Sequence, residues 1–128
     1  MSDTPILVVD DTDEVREVVI TILERLGLVS HGVANVAAAK AWLAKSVPPL
    51  VMLDVMMPDG NGLDLCRWIR AQPRLEKVPV IVMTAIKDDE TSEDAFHDGA
   101  TDYIQKPIDL EVLTGKIARF IPVKPRQD

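Results

Sequence analysis

Several acidic residues in this sequence stand directly after short apolar runs that have the length of β-strands. The run 6–9 leads into Asp10 and Asp11. The run 50–53 leads into Asp54. Because the carboxyl ends of parallel strands lie side by side and form a binding edge, this spacing predicts that the three carboxylates converge. Clustered carboxylates repel one another unless a cation or a proton relieves them, and hard oxygen ligands suit Mg²⁺. The sequence therefore predicts a divalent-cation site.

Two further strand-like runs end in residues that suit a phosphoryl group. The run 80–83 leads into Thr84, and a later segment leads into Lys106, which precedes Pro107 in a step where a cis peptide bond is accessible. At the same edge of a sheet, the hydroxyl would donate to a phosphoryl oxygen and the ammonium would balance its charge. A carboxylate such as Asp54 can act as a nucleophile and form an aspartyl phosphate.

Each of these residues also has a simpler structural explanation. Asp10, Asp11 or Thr84 could cap the helix that follows, since Asp and Thr are favoured at that position. Asp54 could satisfy backbone donors in a loop, and Lys106 could be an ordinary solvated lysine. The functional interpretation depends on their combination, because all of them end strand-like runs in the order that one sheet edge would require.

The composition restricts the class of protein. The chain has 128 residues, 47% of them hydrophobic, which is enough for one domain with a packed core. The net charge of −7 argues against direct nucleic-acid binding, which needs Lys and Arg to neutralise phosphates. The sequence has no apolar run of about 18 residues and no apolar leader at its start, so we expect no membrane segment and a cytoplasmic location. The single cysteine, Cys66, excludes an internal disulfide.

Apolar runs alternate with segments of helical period, a pattern typical of α/β domains with a parallel sheet. We expect strands near 5–9, 28–33, 50–54, 79–83 and 101–105. We expect helices near 13–26, 35–45, 62–72, 89–98 and 109–120. The second and fifth strands have mixed polarity, as exposed edges would, and the other three are apolar on both faces. This fits a doubly wound five-stranded parallel sheet of order 2-1-3-4-5, the flavodoxin-like (β/α)5 fold.

The first predicted helix has the clearest apolar stripe. Its members follow the spacing of one helix face, and they are Val15, Val18, Val19, Ile22, Leu23 and Leu26. Gly27 follows where a left-handed cap is needed. With no internal repeat and no second composition type, we expect one domain over residues 1–121 and a short polar tail over 122–128.

Five segments carry a more specific pattern. They are Val8-Val9-Asp10-Asp11, Leu53-Asp54-Val55-Met56-Met57-Pro58-Asp59-Gly60-Asn61-Gly62, Val82-Met83-Thr84-Ala85, Gly99-Ala100-Thr101-Asp102-Tyr103 and Gln105-Lys106-Pro107. Over about residues 4–121 this combination resembles the receiver domain of two-component response regulators, of which single-domain chemotaxis regulators are one kind. The resemblance implies a signalling switch that is not a turnover enzyme.

The resemblance also implies a role for each acidic residue. Asp54 would accept a phosphoryl group from a histidine kinase or a phosphotransfer protein. Asp11 and Asp54 would bind Mg²⁺ directly, together with the backbone carbonyl of Met56. Asp10 would act mainly through a metal-bound water.

The remaining residues of the resemblance would read the phosphorylation. Thr84 would donate to the phosphoryl group, and Lys106 would pair with its charge. Tyr103 would swing inward as Thr84 moves, changing the surface of the fourth helix, fifth strand and fifth helix. That surface would control a downstream protein target or a covalently linked output domain, and whether the regulator is free-standing stays open.

Two positions of this chain vary within that family. Met56 and Ile86, both apolar here, occupy positions that tune how fast water removes the phosphoryl group. The predicted fourth helix is unusually acidic through Asp88, Asp89, Glu90, Glu93, Asp94 and Asp98. Acidic residues are favoured in the first turn of a solvated helix, and a face for a basic partner is the alternative.

Three other classes of protein compete with this interpretation. A Mg²⁺-dependent phosphatase of the haloacid-dehalogenase type also uses a strand-end Asp, but it normally needs a second Asp where this chain has Met56. A flavodoxin-type electron carrier needs a phosphate-binding loop rich in Ser, Thr and Gly, whereas the segment 10–14 is acidic. A pseudo-receiver that acts without phosphorylation would not need the acidic and basic residues to be intact.

Overall fold

Five parallel strands form the central sheet of the computed structural model, which describes residues 4–84 and 99–121. The described residues form seven strands, five in this sheet and two in a separate pair: β1 (Ile6–Val9), β2 (Ser30–Val33), β3 (Val51–Asp54), β4 (Met56–Met57), β5 (Gly60–Asn61), β6 (Val80–Thr84) and β7 (Asp102–Gln105). The sheet has the order β2-β1-β3-β6-β7, so the predicted order 2-1-3-4-5 is confirmed. The two short strands β4 and β5 pair with each other as an antiparallel hairpin. The sequence predicted only a tight turn in that segment.

Four helices lie within the described ranges. They are α1 (Asp13–Arg25), α2 (Val36–Leu43), α3 (Gly62–Ala71) and α4 (Leu110–Ala118). The predicted helix near 89–98 and the tail 122–128 lie outside the described residues. The end of α1 is as the sequence predicts: Gly27 has φ of +77°, and its N–H donates to Glu24 O at 3.0 Å while Leu28 N–H donates to Leu23 O at 2.9 Å. This pair of bonds is the Schellman motif, which a glycine accommodates without strain.

The sheet is buried on both faces by helices. Side chains alternate along a strand, so neighbouring residues of β1 face opposite sides. On one side, α2 and α3 pack against Leu7, Val9, Val51, Leu53, Val80 and Val82. On the other, α1 and α4 pack against Ile6, Val8, Met52, Ile81, Met83 and Ile104. Each such side chain contributes about 1.5–3 kcal/mol when it is fully buried, so the three central strands are firmly fixed.

The edges of the sheet and the flank of α1 are more exposed. The strand β2 is only half-buried, and β7 alternates buried with accessible residues, as the sequence predicts for edge strands. The prediction that Val18 belongs to the buried stripe of α1 is wrong, because its side chain is 48% exposed. The arc of α1 that faces the sheet takes Val19, Ile22 and Leu23, and Val18 lies beside that arc. Within the described ranges, none of the helices has the length and apolar character needed to cross a membrane.

Candidate functional site

The ends of β1 and β3 bring three carboxylates together, as the sequence predicts. Val9 is aligned with Leu53 in the parallel pair, so the next residues, Asp10 and Asp54, lie side by side. Asp10, Asp11 and Asp54 each offer a carboxylate oxygen within 4.8 Å of the others. Asp10 is completely buried and Asp54 is 7% exposed, whereas Asp11 is open to solvent.

Lys106 inserts its ammonium group between two of these carboxylates. Its Nζ lies 2.9 Å from Oδ2 of Asp10 and 3.2 Å from Oδ2 of Asp54. The backbone holds it there, because the Lys106 N–H donates to the Thr84 carbonyl oxygen at 2.7 Å, directly after β7. The Lys106–Pro107 peptide bond is cis. The structure thus places Lys106 beside the carboxylate cluster, at the position that the sequence predicts.

Asp10 is held by contacts that the sequence did not reveal. Its Oδ1 accepts a hydrogen bond from the Thr12 N–H at 2.9 Å. Its carbonyl oxygen accepts one from Arg16, a residue of α1, at 2.7 Å. Arg16 also pairs with Asp13 in the first turn of the same helix. The buried carboxylate of Asp10 is therefore fixed by its own loop and by α1.

The charge balance of the cluster is unfavourable. Burial, followed by the negative charge of Asp10, raises the pKa of Asp54, and the ammonium of Lys106 only partly opposes this. For Lys106, burial lowers the pKa, but the carboxylates of Asp10 and Asp54 outweigh it and the net direction is upward. With all groups ionised, three carboxylates face one ammonium, an excess of two negative charges. A divalent cation would neutralise that excess.

The donor set fits Mg²⁺. Bonds of about 2.1 Å in an octahedron place ligand oxygens about 3–4.2 Å apart, so oxygens already within 4.8 Å need only a small closure. Mg²⁺ usually takes one or two carboxylates and keeps waters, which the solvent-exposed position of Asp11 allows. Met56 begins the hairpin two residues after Asp54, and its side chain is 69% exposed.

Gly62 fixes the segment that follows Asp54. A Cβ atom at Gly62 would lie 1.9 Å from the Asp54 carbonyl oxygen, so any side chain there would displace the end of β3. The Gly62 N–H donates to the Val55 carbonyl oxygen at 2.6 Å, and the side chain of Asn61 caps α3 by accepting from Leu63 N at 2.7 Å. The sequence marked this segment as turn-forming, but the close approach to Asp54 has no sequence signal beyond the glycine itself.

Thr84 and Tyr103 lie where the sequence predicts, at different depths. Thr84 ends β6, is 2% exposed and lies at the same sheet edge as Asp54. Tyr103 is the second residue of β7 and is half-buried against the core beneath α3. The ammonium of Lys116 lies 5.7 Å from its ring centre. Ile86 and the acidic segment of the predicted fourth helix are outside the described residues.

Two other aspartates make contacts that the sequence did not single out. At the start of β7, buried Asp102 pairs with Lys116 at 3.0 Å and with Arg119 at 2.9 Å. In the turn of the hairpin, Asp59 accepts hydrogen bonds from the backbone N–H groups of Val36 and Ala37 at 2.8 and 3.0 Å. These two amides lower the pKa of the Asp59 carboxyl.

The profile of the response regulator receiver domain matches residues 6–118, nearly the whole of the described fold. The chain belongs to this family. The recognition made from the sequence motifs is therefore confirmed, and so is the flavodoxin-like fold that it implied. The haloacid-dehalogenase alternative gains no support from these comparisons.

Relatives of this receiver domain include transcriptional regulators. GltR of Pseudomonas aeruginosa, a transcriptional regulatory protein, is 39% identical over 116 residues, covering 91% of this chain and 48% of that protein. NtrC of Rhizobium meliloti, a DNA-binding transcriptional regulator, is 39% identical over 122 residues, covering 94% and 25%. The structure of the chemotaxis response regulator CheY4 of Vibrio cholerae has a TM-score of 0.86 at 25% identity and covers 92% and 98%. The chain spans half or less of the length of these two curated relatives.

Membership of the family carries some general properties. Receiver domains are signalling domains and generally not turnover enzymes. They typically bind Mg²⁺ at an acidic pocket, and the described structure has such a cluster of aspartates. Response regulators interact with histidine kinases and with downstream targets.

Proposed function

We propose that this receiver domain is a phosphorylation-dependent switch in which Asp54 accepts a phosphoryl group from a histidine kinase or a phosphotransfer protein. The observation that carries the proposal is the pairing of Asp54 with Lys106 at 3.2 Å, inside a cluster of three carboxylates that fits Mg²⁺. A nucleophile, a metal site and a fixed ammonium group thus lie together at one sheet edge. Phosphoryl transfer depends mostly on such positioning and charge stabilisation.

The residues of the site divide the work of the transfer. Asp10, Asp11, Asp54 and the backbone carbonyl of Met56 would hold Mg²⁺, which supplies positive charge to the phosphoryl oxygens when bound. A carboxylate oxygen of Asp54 forms the new P–O bond while the P–N bond to the donor histidine breaks, and the imidazole leaves with its electron pair. Lys106 then exchanges the Asp54 carboxylate for a phosphoryl oxygen, which carries more charge.

Thr84 and Tyr103 would convert the new phosphoryl group into a change of surface. Thr84, which is buried at the same sheet edge as Asp54, would donate its hydroxyl to a phosphoryl oxygen, and Tyr103 would follow its movement. The half-buried position of Tyr103 beside Lys116 supports this, because the residue is in contact with the core without being fully enclosed by it. The affected surface is the predicted one, formed by the fourth helix, the fifth strand and the fifth helix of the sequence analysis. In the described structure, the fifth of these strands is β7 and the fifth of these helices is α4.

We place the phosphodonor at the groove beside Lys106. This groove of about 310 Å³ is lined by Glu14, Val15, Val18, Lys106, Pro107 and Ile108. Val18 leaves 48% of its side chain exposed there, although it is apolar. An apolar contact at this point would hold a donor next to the Asp54 carboxylate, which Lys106 contacts directly.

The downstream partner is a protein surface, either a separate target or a covalently linked output domain. The matched transcriptional regulators extend well beyond the length of this domain, which supports the second arrangement. A net charge of −7 disfavours direct nucleic-acid binding by the domain itself, and we expect it to act in the cytoplasm. Met56 stands where a haloacid-dehalogenase phosphatase would have its general acid, so catalytic turnover is not expected.

Phosphorylation by a small acyl-phosphate donor with Mg²⁺ tests this function. Intact mass spectrometry should show one added phosphate on the wild type and none on Asp54→Asn. Asp102→Asn is the matched control, because it removes another buried aspartate and should still accept one phosphate. The adduct should be stable in acid and labile in alkali. A phosphate on Ser or Thr of the wild type, or an equal addition of phosphate to Asp54→Asn, would contradict the proposal.

A further inference from the structure

The hairpin that follows Asp54 rests on the first turn of α2. Asp59, in its turn, accepts hydrogen bonds from Val36 N and Ala37 N. Gly60 lies so close to α2 that a Cβ atom there would be 3.2 Å from Cγ2 of Val36. The bond to Val36 links residues 23 positions apart, so it is a tertiary contact and not a local turn. The hairpin is thereby fastened to a helix on the same side of the sheet as α3.

This contact does more than cap a helix. The first four N–H groups of any helix lack intrahelical partners, and a residue at the N-cap commonly satisfies one of them. In α2, Asn35 does this through a 2.7 Å bond from Ala38 N. Asp59, which lies outside the helix, accepts hydrogen bonds from two further N–H groups of its first turn. Its carboxylate therefore makes the position of the hairpin depend on α2.

The hairpin also carries residues of the proposed metal site. Its first residue, Met56, lies two positions after Asp54 and is aligned with Asn61 across the hairpin. Asn61 in turn caps α3. A displacement of the hairpin turn would therefore be transmitted to Met56 through only one pair of short strands.

We propose that Asp59 is a positioning residue for Mg²⁺ binding: by clamping the hairpin to α2 it fixes the backbone of Met56 beside Asp54. The inference rests on the proposed function, because it assigns Asp59 a role toward that metal site. Asp59 itself does not touch the ion. Removing the clamp should weaken Mg²⁺ binding by about three- to tenfold, somewhat less than the 10–100-fold loss typical for the direct partner of a metal ligand.

Thermodynamic linkage supplies a readout that a purely structural role would not move. If the clamp strengthens Mg²⁺ binding by a given factor, Mg²⁺ must strengthen the clamp by the same factor. The amides of Val36 and Ala37 report the clamp directly, since both donate to Asp59. Adding saturating Mg²⁺ should slow their hydrogen exchange by the factor that Asp59→Ala adds to the Kd. The amide of Ala38, which donates to Asn35, is the internal reference.

The experiment is titration of Mg²⁺ by calorimetry into wild type, Asp59→Ala, Asp59→Glu and Asn35→Ala, with hydrogen exchange on the wild type. Asp59→Ala should raise the Kd about three- to tenfold, and at high salt that ratio should persist, because a geometric effect is not screened. Asp59→Glu keeps the charge but moves the carboxylate outward by one methylene, so it should recover only part of the affinity. Asn35→Ala removes the other cap of α2 and should leave the Kd within about twofold.

The outcomes separate this inference from the proposed function. An unchanged Kd in Asp59→Ala beside normal binding by the wild type would overturn the inference alone. A loss that disappears at high salt, or that Asp59→Glu restores fully, would also overturn it, because the effect would then be one of charge. No Mg²⁺ binding by the wild type would overturn both. A persistent loss, together with matched slowing of exchange at Val36 and Ala37, would establish the clamp.

Discussion

Two clusters of buried charge lie at opposite ends of the strands, and they are balanced in opposite ways. In one, a single carboxylate, Asp102, meets two cations, Lys116 and Arg119. In the other, a single ammonium group, Lys106, meets a cluster of three carboxylates that includes Asp54. The first cluster carries an excess of positive charge and its buried member is fully paired. The second carries an excess of negative charge inside the fold.

The difference shows which feature marks a ligand site. A buried aspartate alone does not, because Asp102 is as deeply placed as Asp54 and its contacts are complete within the chain. What distinguishes Asp54 is that burial and the neighbouring Asp10 raise its pKa despite a nearby ammonium group. Unrelieved repulsion of this kind is a free energy that a bound cation can recover. Variants in the two clusters should therefore respond differently to Mg²⁺.

The largest expected effect is the stabilisation of the acidic cluster by Mg²⁺. A ligand that binds only the folded state adds about 2.7 kcal/mol to the free energy of unfolding at 100 times its Kd. Melting curves of the wild type with and without Mg²⁺ should show this gain. Asp11→Ala should lose most of it, because one of the three carboxylates is gone.

Asp102→Ala is the control for that measurement. Its cluster contains no candidate metal ligand, so the variant should start from a lower stability and still gain as much from Mg²⁺ as the wild type. An equal gain in Asp11→Ala, or no gain in the wild type, would show that the three carboxylates are not a metal site.

A smaller effect is expected when the lysine of each cluster is removed. Without Mg²⁺, Lys106→Ala should destabilise the fold by about 2 kcal/mol, since it leaves buried Asp10 without its ion pair. It should remain folded, because the side chain lies outside both hydrophobic cores. Lys116→Ala should cost only about 0.5 kcal/mol, because Arg119 still pairs with Asp102. Urea unfolding of both variants measures the difference.

The two lysine variants should also differ in how much stability they gain from Mg²⁺. Lys106 competes with a bound cation for Asp10 and Asp54, so Lys106→Ala should gain more stability from Mg²⁺ than the wild type does. Lys116→Ala should gain the same amount as the wild type. If Mg²⁺ stabilises Lys106→Ala less than it stabilises the wild type, the ammonium group does not compete with the cation for the carboxylates of Asp10 and Asp54. The charge balance inferred for this cluster would then be wrong.

Much of the fold and the acidic cluster could be predicted because their signals are local. Each central strand is an apolar run that ends in its own functional residue, such as Asp54 or Thr84, and the parallel topology then places those ends together. The order of the sheet followed from which strands were apolar on both faces. Asp10 and Lys106 lie 96 positions apart in the chain, yet both were marked by the runs before them.

The features that could not be predicted depend on contacts between segments without such markers. Asp59 looks like an ordinary turn residue, and only the packing of the hairpin on α2 gives it two amide donors. Asp102 stands in a recognisable motif, but its partners are Lys116 in the last turn of α4 and Arg119 directly after that helix, where basic residues are common. Val18 has the right spacing for the core and is nevertheless exposed, because periodicity gives the direction of a stripe and not its width.

Neutralising the central aspartate of each cluster should change the free energy of unfolding in opposite directions. The pKa of Asp54 is raised above its ordinary value of 3.8, so the folded state holds this proton more tightly than the unfolded state. Stability contributed by this group therefore falls as pH rises from about 4 through the folded pKa, and ionised Asp54 is destabilising at pH 7.

Without Mg²⁺, Asp54→Asn should be more stable than the wild type at pH 7 by about 1 kcal/mol, the usual size of a single substitution. The gap should narrow as the pH falls toward 4, because the raised pKa lets the folded wild type bind this proton more tightly than the unfolded chain does. Asp102→Asn should instead be less stable by about 1 kcal/mol at pH 7, because it leaves two cations without a carboxylate. Urea unfolding at both pH values tests the pair. Destabilisation by Asp54→Asn at pH 7, or stabilisation by Asp102→Asn, would mean that the two clusters do not differ in charge balance.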